Sequence, residues 1–151
     1  MIDPQFVGFE LPVHTQEVEK GRLRFFSRAI GETDPVYLDE DDAKAAGWRS
    51  LPVPPTFLFC LDMERCNPYD YLETLGIELG EVLHGEQSFQ YHEVPCAGDR
   101  LTFRSRITDI WARKAGTMEF VVRDTDVFRG ETPIAELRST IIIRHRDNHE
   151  S

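Results

Sequence analysis

The first third of the chain has the hydrophobic spacing of an amphipathic helix. Between Val18 and Ile30, the apolar residues Leu23, Phe26 and Ile30 follow one another at intervals of three and four. Gly31 stands where such a helix would end, because glycine tolerates the backbone conformation found at helix C-termini. The pattern predicts a first helix that ends at Gly31.

A polar loop and a shorter helix are expected next. Asp34 precedes a proline, which disfavours helical backbone at that position and predicts a loop over residues 32–37. The run from Asp39 to Ala46 has a capping aspartate, an acidic first turn and several alanines, and Gly47 follows it. We expect a helix of two turns there.

The most apolar segment of the chain begins directly after a pair of prolines at 54–55. Proline is tolerated in the first turn of a helix, and apolar residues then run from Phe57 to Met63. A helix that is apolar on nearly all sides is normally buried on several faces, as when a curved sheet wraps around it. We expect a central buried helix, ended by the Asn-Pro pair at 67–68, and then a polar, glycine-containing insert over residues 69–81.

From Val82 onward the apolar spacing changes to two, which is typical of strands. The alternating residues predict four strands, marked by Phe89 and Tyr91, then Leu101, Phe103 and Ile107, then Met118, Phe120 and Val122, then Ile141 and Ile143. Breaks with glycine or proline separate them by connections of hairpin length, so the pairing is expected to be largely antiparallel.

A buried helix followed by a long antiparallel sheet predicts an α+β fold of the hot-dog type, in which the sheet wraps around the helix. We predict a single domain over residues 1–146 and a polar tail over residues 147–151, because 151 residues are the size of one domain. One such sheet leaves its edges and one face uncovered, which favours a dimer or a sister domain.

Composition and charge argue against several classes of partner. The chain has 17 lysine and arginine residues against 27 aspartate and glutamate residues, a net charge of -10, so nucleic acid is not expected. No apolar run approaches the roughly 20 residues that span a bilayer, and the start of the chain does not resemble a signal peptide. Arg22, Arg24 and Arg28, or Arg104 and Arg106, either form a local basic groove for a phosphorylated group or are solvated surface residues.

Neither a cofactor nor a metal is predicted. The chain contains no glycine-rich dinucleotide or phosphate loop, and His84 and His92 would lie roughly 26 Å apart on one strand. His84 and Glu86 share a strand face, where they form a polar pair or stay solvated. The cysteines are odd in number and have no metal-binding spacing, which indicates reduced thiols in a cytoplasm, and they are Cys60, Cys66 and Cys96.

The segment from residue 25 to residue 57 carries short motifs in a fixed order. They are Phe26–Gly31, Glu32–Tyr37, Asp39–Ala43, Ala46–Trp48 and Pro52–Phe57. They resemble the MaoC-like hydratase/dehydratase family, in which a helix, G-D-x-N-P-x-H, D-x-x-x-A, A-x-x-x-G-[FW] and P-I-x-H-G-M follow in this order. Segment 89–101 is similar to that family's strand followed by P-V-x-x-G-D-x-L. The resemblance covers about residues 18–144 and implies reversible addition of water across an enoyl thioester.

Three positions differ from the pattern of that family. Glu32 stands at its aspartate position, Tyr37 at its histidine position, and Pro55 and Thr56 at its H-G dipeptide. In the family, the aspartate and histidine activate water, and an amide at a helix N-terminus receives the thioester oxygen. The resemblance therefore implies that Glu32 and Tyr37 are an altered catalytic dyad. It also implies that Asp34, Pro55 and Thr56 bind substrate, with the Thr56 amide at the carbonyl.

These departures resemble the N-terminal, FAS1-like dehydratase subtype, in which one hot dog carries the dyad and its sister accommodates the acyl chain. Our leading hypothesis is an acyl-binding subunit for acyl-CoA or acyl carrier protein thioesters, as a homodimer or with a MaoC-like catalytic subunit. Other interpretations stay open: a self-sufficient hydratase with Glu32 as base and Tyr37 as acid, a non-enzymatic acyl-thioester binding subunit, or a thioesterase. It is also open that Asp34 only caps the turn while Glu32 and Tyr37 brace the loop.

Overall fold

The computed structural model describes residues 1–145, so the predicted tail at 147–151 lies outside the described residues. The helices are α1 (Lys20–Ala29), α2 (Glu40–Ala45), α3 (Phe57–Asp62) and α4 (Asp70–Thr74), with 3-10 turns at Pro4–Phe6, Pro35–Tyr37, Leu79–Glu81 and Lys114–Gly116. The strands are β1 (His14–Glu17), β2 (Val82–Tyr91), β3 (Arg100–Arg113), β4 (Met118–Arg129) and β5 (Thr132–Arg144). Within this range no helix has the length and apolarity to cross a membrane.

The five strands form one antiparallel sheet in the order β1-β3-β4-β5-β2. This confirms the predicted α+β fold and the antiparallel pairing. The expectation of hairpins throughout is wrong for β2, which pairs with β5 rather than with β3. The proline and glycine between β2 and β3 mark a break in the chain, but they do not determine which strands pair across it.

The core lies between the sheet and the helices α1 and α3. Phe57, Leu58 and Leu61 of α3 are buried against strand residues such as Leu101 and Phe103. The expected central helix is therefore present, but it ends at Asp62, with Met63 as its C-cap, and not at the Asn-Pro pair. The segment 69–81 is not a purely polar insert, because it forms α4 and contributes buried side chains to a second cluster, namely Leu72, Leu75 and Ile77.

The start of the first helix also differs from the prediction. Val18 is fully buried but extended, and its N–H donates to the Asp99 carbonyl at 2.8 Å, so α1 begins at Lys20. Leu23 is buried as expected, whereas Ile30 is 56% exposed. The helix from Asp39 is confirmed as α2, since the Asp39 side chain accepts hydrogen bonds from the N–H groups of residues 41 and 42.

The inner face of β4 is the clearest departure from the hydrophobic pattern. The predicted face holds Met118 and Phe120, which are only partly buried. The alternate face carries buried polar side chains beside Val121 and Val127, and these are Glu119, Arg123 and Thr125. Buried polar groups require partners, and each of the three has one from a distant part of the chain.

Candidate functional site

The loop between α1 and α2 folds the Glu32 carboxylate against its own backbone. Gly31 has a φ of 75°, a conformation that favours glycine, and it turns the chain out of α1. The Glu32 N–H then donates to the Ser27 carbonyl at 2.9 Å. The Glu32 carboxylate oxygen Oε1 accepts hydrogen bonds from the N–H groups of Thr33 and Asp34, each at 2.9 Å. The carboxylate is thereby held on its own loop.

Asp34 caps the short 3-10 turn that follows. Its Oδ1 accepts a hydrogen bond from the Val36 N–H at 3.1 Å, and Pro35 occupies the first position of the turn. This is the capping expected if Asp34 only stabilises the loop. A part for Asp34 in substrate binding stays a prediction.

Tyr37 closes the same turn and lies within electrostatic range of both carboxylates. Partial burial raises the pKa of its phenol, and the negative charges of Glu32 and Asp34 raise it further. The phenol of tyrosine has a usual pKa near 10, so it is a poor base at neutral pH. Tyr37 is therefore protonated at neutral pH and can donate a proton or a hydrogen bond, but it cannot accept a proton from water.

Tyr91, at the end of β2, connects this loop to the central helix. Its hydroxyl donates a hydrogen bond to the Pro55 carbonyl at 2.7 Å. Burial raises the pKa of Tyr91, and Tyr37 raises that pKa further. Sequence reasoning treated Tyr91 only as an alternating strand residue. Its partner is a backbone carbonyl 36 residues away, for which the sequence carries no signal.

The N-terminus of α3 completes the site. Thr56 is the residue before the first helical position, and its side chain makes no capping hydrogen bond. The Phe57 N–H is used internally, donating to the Pro54 carbonyl at 3.0 Å. For the Thr56 N–H, no acceptor occurs among residues 1–145. Pro55 and Thr56 are both exposed residues, and binding of a carbonyl by the Thr56 amide stays a prediction.

Tyr91 connects the loop of Glu32, Asp34 and Tyr37 to the start of α3, because Tyr37 acts on its phenol and its hydroxyl donates to the Pro55 carbonyl. The candidate site therefore comprises a carboxylate held on its own loop, two phenols and the backbone amide of the exposed residue Thr56. Such groups can orient a thioester and donate hydrogen bonds to it. Among the described residues, no group of three or more His, Cys, Asp or Glu side chains has the arrangement of a metal site.

The opposite end of α3 carries a buried ion network that sequence reasoning missed. Asp62 is 1% exposed, and its carboxylate contacts His14 at 2.9 Å, Arg65 at 2.9 Å and Arg123 at 2.7 Å. Burial alone would raise the pKa of Asp62, but the hydrogen bond from His14 and the charges of Arg123 and Arg65 outweigh burial and hold that pKa below its usual value. The network links α3 to β1 and β4.

The other polar residues considered from sequence lie outside this site. Arg106 pairs with Asp126 at 3.3 Å, and the Arg104 guanidinium lies over the Phe128 ring at 5.2 Å, so both are engaged within the sheet. A β-bulge shifts the register between His84 and the residue at 86. The polar pair considered at 84 and 86 does not form, and the His84 ring packs edge-on against Phe59 instead, with centroids 5.6 Å apart.

Comparisons with known proteins agree with this fold. The chain matches the family model described as FAS1-like, dehydratase domain region, over residues 5–137. It is 33% identical over 144 residues to the UPF0336 protein of Saccharopolyspora erythraea. The matched segment covers 95% of this chain and 92% of that protein. Its fold is similar to that of the C-terminally truncated HadBC (3R-hydroxyacyl-ACP dehydratase) complex from Mycobacterium tuberculosis, with a TM-score of 0.77 and 24% identity over 91% of this chain and 96% of that chain. It is also similar to the MaoC-like dehydratase from Rhodospirillum rubrum, with a TM-score of 0.67 and 17% identity over 93% and 94% of the two chains.

The sheet, the short central helix and the loop before it define a protein of the hot-dog class, with a fold similar to that of MaoC-like dehydratases. Within that class, the chain belongs to the FAS1-like dehydratase family. The resemblance noted from the sequence is thus confirmed at the level of the family and the fold.

Proposed function

We propose that this chain is the acyl-binding subunit of a hydratase/dehydratase that acts on enoyl and 3-hydroxyacyl thioesters. In this assembly a sister hot-dog subunit supplies the catalytic dyad. The observation that carries the proposal is the state of Tyr37, whose raised pKa keeps the phenol protonated at the position where the family has a basic histidine. At that position the chain therefore has a hydrogen-bond donor in place of a group that takes up a proton near neutral pH.

A second argument for a sister subunit comes from the free edges of the sheet. In residues 1–145, β2 and β1 are the two edge strands, with ten and four residues. At about 3.3 Å per residue, β2 offers an edge of about 33 Å and β1 one of about 13 Å. A long uncovered edge is a template for another strand, and Leu83 on β2 is 52% exposed. We therefore assign the contact with the sister to β2.

The acyl thioester is then held by the open end of α3. In this proposal the Thr56 amide and the Tyr37 hydroxyl donate hydrogen bonds to the thioester, because both donors are available there. The acyl group is delivered on coenzyme A or on an acyl carrier protein. We propose a cytoplasmic location, because Cys60, Cys66 and Cys96 are free thiols and a reducing compartment keeps them so.

A self-sufficient hydratase is the second candidate, and one observation favours it. The Glu32 charge helps to raise the pKa of the Tyr37 phenol, which supports an action of both side chains on one substrate, with Glu32 as base and Tyr37 as acid. Binding without turnover, even with a sister subunit, would instead indicate a non-enzymatic acyl-thioester binding protein.

The test is hydration of crotonyl-CoA and longer enoyl-CoA substrates by the purified chain, alone and with a candidate sister that carries an intact D-x-N-P-x-H motif. We expect turnover only in the presence of the sister. We also expect Glu32→Gln in this chain to leave kcat of the assembly within about twofold, because Glu32 then takes no proton. Turnover by the chain alone that is abolished by Glu32→Gln would contradict the proposal and establish the second candidate.

A further inference from the structure

The buried ion network at the end of α3 contains more positive than negative charge. The side chains of Arg65 and Arg123 are each 8% exposed, and among residues 1–145 each forms an ion pair only with Asp62. His14 needs no charge to join the network, because a neutral ring donates from Nε2 to Asp62 and accepts at Nδ1 from the Gln16 amide at 3.1 Å. Two buried guanidinium groups therefore share one buried carboxylate.

Both guanidinium groups also keep donors that no described part of the chain uses. Arg65 donates from Nη2 to Asp62 and Ser105 and from Nε to the Asp62 carbonyl, whereas its Nη1 has no acceptor within residues 1–145. The Nε of Arg123 is buried and has no hydrogen-bond partner in this range either. A buried donor without a partner is destabilising, and more so when it is charged. A bound anion would supply both the missing acceptor and the missing negative charge.

The network borders an apolar cavity of about 440 Å³, because Arg65 and His14 are among the residues that line it. The cavity lies between the segment before β1, the chain that follows α3, and α4. Its apolar wall includes Phe9, Leu11 and Val13. Sites for small ligands have volumes of about 300 to 1,000 Å³ and combine apolar walls with a few polar groups. This cavity therefore has the size and the lining of such a site.

Tyr71 of α4 adds a neutral donor to the same cavity. It lines the cavity, and the Arg123 guanidinium lies 5.5 Å from the centre of its ring. Burial raises the pKa of Tyr71, so its hydroxyl stays protonated at neutral pH. The charge of Arg123 thus acts on the cavity through the ring that forms part of its wall.

The carboxylates near the cavity do not cancel this positive charge. Asp70 also lines the cavity, but it is exposed, so water and salt screen its charge. Glu64, the residue before Arg65, is paired with Arg22. The buried part of the cavity wall therefore keeps an excess of positive charge, while Asp70 weakly repels an anion at its exposed side.

We propose that this cavity binds a small organic anion, namely a free monocarboxylate with a short apolar chain. Its carboxylate accepts hydrogen bonds from the Arg65 Nη1 and the Tyr71 hydroxyl, since guanidinium groups bind carboxylates well. Its chain lies against Phe9, Leu11 and Val13. The cavity is at the opposite end of α3 from the thioester site, and the inference does not depend on the proposed function.

The test compares hexanoate with two probes that each lack one of its parts. Hexanoate, hexan-1-ol and acetate are titrated against the purified chain at pH 7 by calorimetry. We expect hexan-1-ol and acetate each to bind at least about tenfold more weakly than hexanoate, because the first lacks the charge and the second lacks the apolar chain.

Three variants test the groups that carry the proposal. Arg65→Gln should weaken hexanoate binding by at least about tenfold, and it leaves Asp62 and Arg123 as a balanced pair, so we expect the variant to fold. Thr74→Trp fills the cavity from an exposed position of α4 without touching the network, and the same loss is expected. Asp70→Asn removes the repelling charge and should tighten hexanoate binding by about twofold to threefold.

Glu131→Gln is the matched control for Asp70→Asn. Glu131 is exposed in the turn between β4 and β5 and does not line the cavity, so its substitution should leave hexanoate binding unchanged. If Arg65→Gln does not fold in a urea titration, Thr74→Trp decides the question.

The proposal is overturned if hexanoate does not bind, if hexan-1-ol binds equally well, or if the folded variants at Arg65 and Thr74 bind hexanoate as the unmodified chain does. Displacement of hexanoate by crotonyl-CoA would also overturn it, because hexanoate would then occupy the thioester site. A failure of crotonyl-CoA to bind, with hexanoate binding intact, would contradict the proposed function and leave this cavity as a separate carboxylate site.

Discussion

The length of the Glu32 side chain determines which backbone N–H groups of the site loop its carboxylate reaches. The Glu32 carboxylate reaches the N–H groups of the two residues that follow it, while the Asp34 carboxylate reaches the Val36 N–H. Both carboxylates stay on the loop and add negative charge beside Tyr37, which keeps the phenol protonated. Glu32 and Tyr37 therefore act together in this loop: backbone N–H groups hold the carboxylate, and its charge helps to keep the phenol a hydrogen-bond donor.

Tyr91→Phe tests the connection between this loop and the central helix. The change removes the hydroxyl that donates to the exposed Pro55 carbonyl, with little change in shape. A hydrogen bond of this kind contributes about 1 kcal/mol, so we expect the free energy of unfolding in urea to fall by about that amount. We also expect weaker binding of crotonyl-CoA, because the N-terminus of α3 loses its anchor. Tyr69→Phe at an exposed tyrosine is the control and should change neither quantity.

At the scale of elements, α3 depends on contacts at both of its ends. A helix of six residues is too short to be stable alone, although Phe57, Leu58 and Leu61 bury its apolar side. Tyr91 fixes the start of α3, and Asp62 joins its end to β1 and β4. The buried ion network thus fixes the helix whose opposite end carries the proposed carbonyl-binding amide.

Asp62→Asn should be strongly destabilising. The change leaves Arg65 and Arg123 buried without a counter-charge, and breaking a buried pair in this way costs about 3 kcal/mol or more. Because the folded pKa of Asp62 lies below its usual value, its stabilisation is present above about pH 4 and is lost as the pH falls through the folded pKa. Urea unfolding at pH 7 and at successively lower pH measures both effects.

The control for this prediction is Asp109→Asn at an exposed position of β3. We expect the stability of that variant to stay within about 0.5 kcal/mol of the unmodified chain. The stability difference between Asp62→Asn and the unmodified chain should narrow on acidification. A difference that stays constant down to the lowest pH at which the chain folds would contradict the assigned role of the Asp62 charge.

The elements that the sequence predicted are those whose own residues show a hydrophobic spacing or a helix-capping pattern. Alternating apolar residues identified β3 and β5, and the Asp39 cap identified α2. The polar β1 has no such pattern and is a strand only because it pairs with residues 100–103 of β3. The buried position of Arg123 also depends on a distant partner, because it pairs with Asp62, 61 positions away in the chain. Glu32 and Thr56 were found through their motifs, whereas Tyr91 was missed because its partner is a distant backbone carbonyl.

The charge of the whole molecule bears on what pairs with its free sheet edge. Two copies of a chain with a net charge of -10 repel each other, although salt screens charges beyond about 8 Å at physiological ionic strength. A sister of lower negative charge pairs along β2 at a smaller electrostatic cost than a second copy. Under the proposed function, the charge therefore favours a heteromer over a homodimer.

Leu83→Asp tests the assignment of the partner contact to β2. Leu83 is 52% exposed on this edge, so a buried carboxylate there should weaken association with the sister, or with a second copy, by at least about tenfold. Sedimentation at several protein concentrations measures the shift toward the 17.4 kDa chain. Val13→Asp is the matched change, because Val13 is 59% exposed beside β1 at the opposite edge. Association that survives Leu83→Asp but fails in Val13→Asp would move the partner to β1, where only four residues are available for pairing.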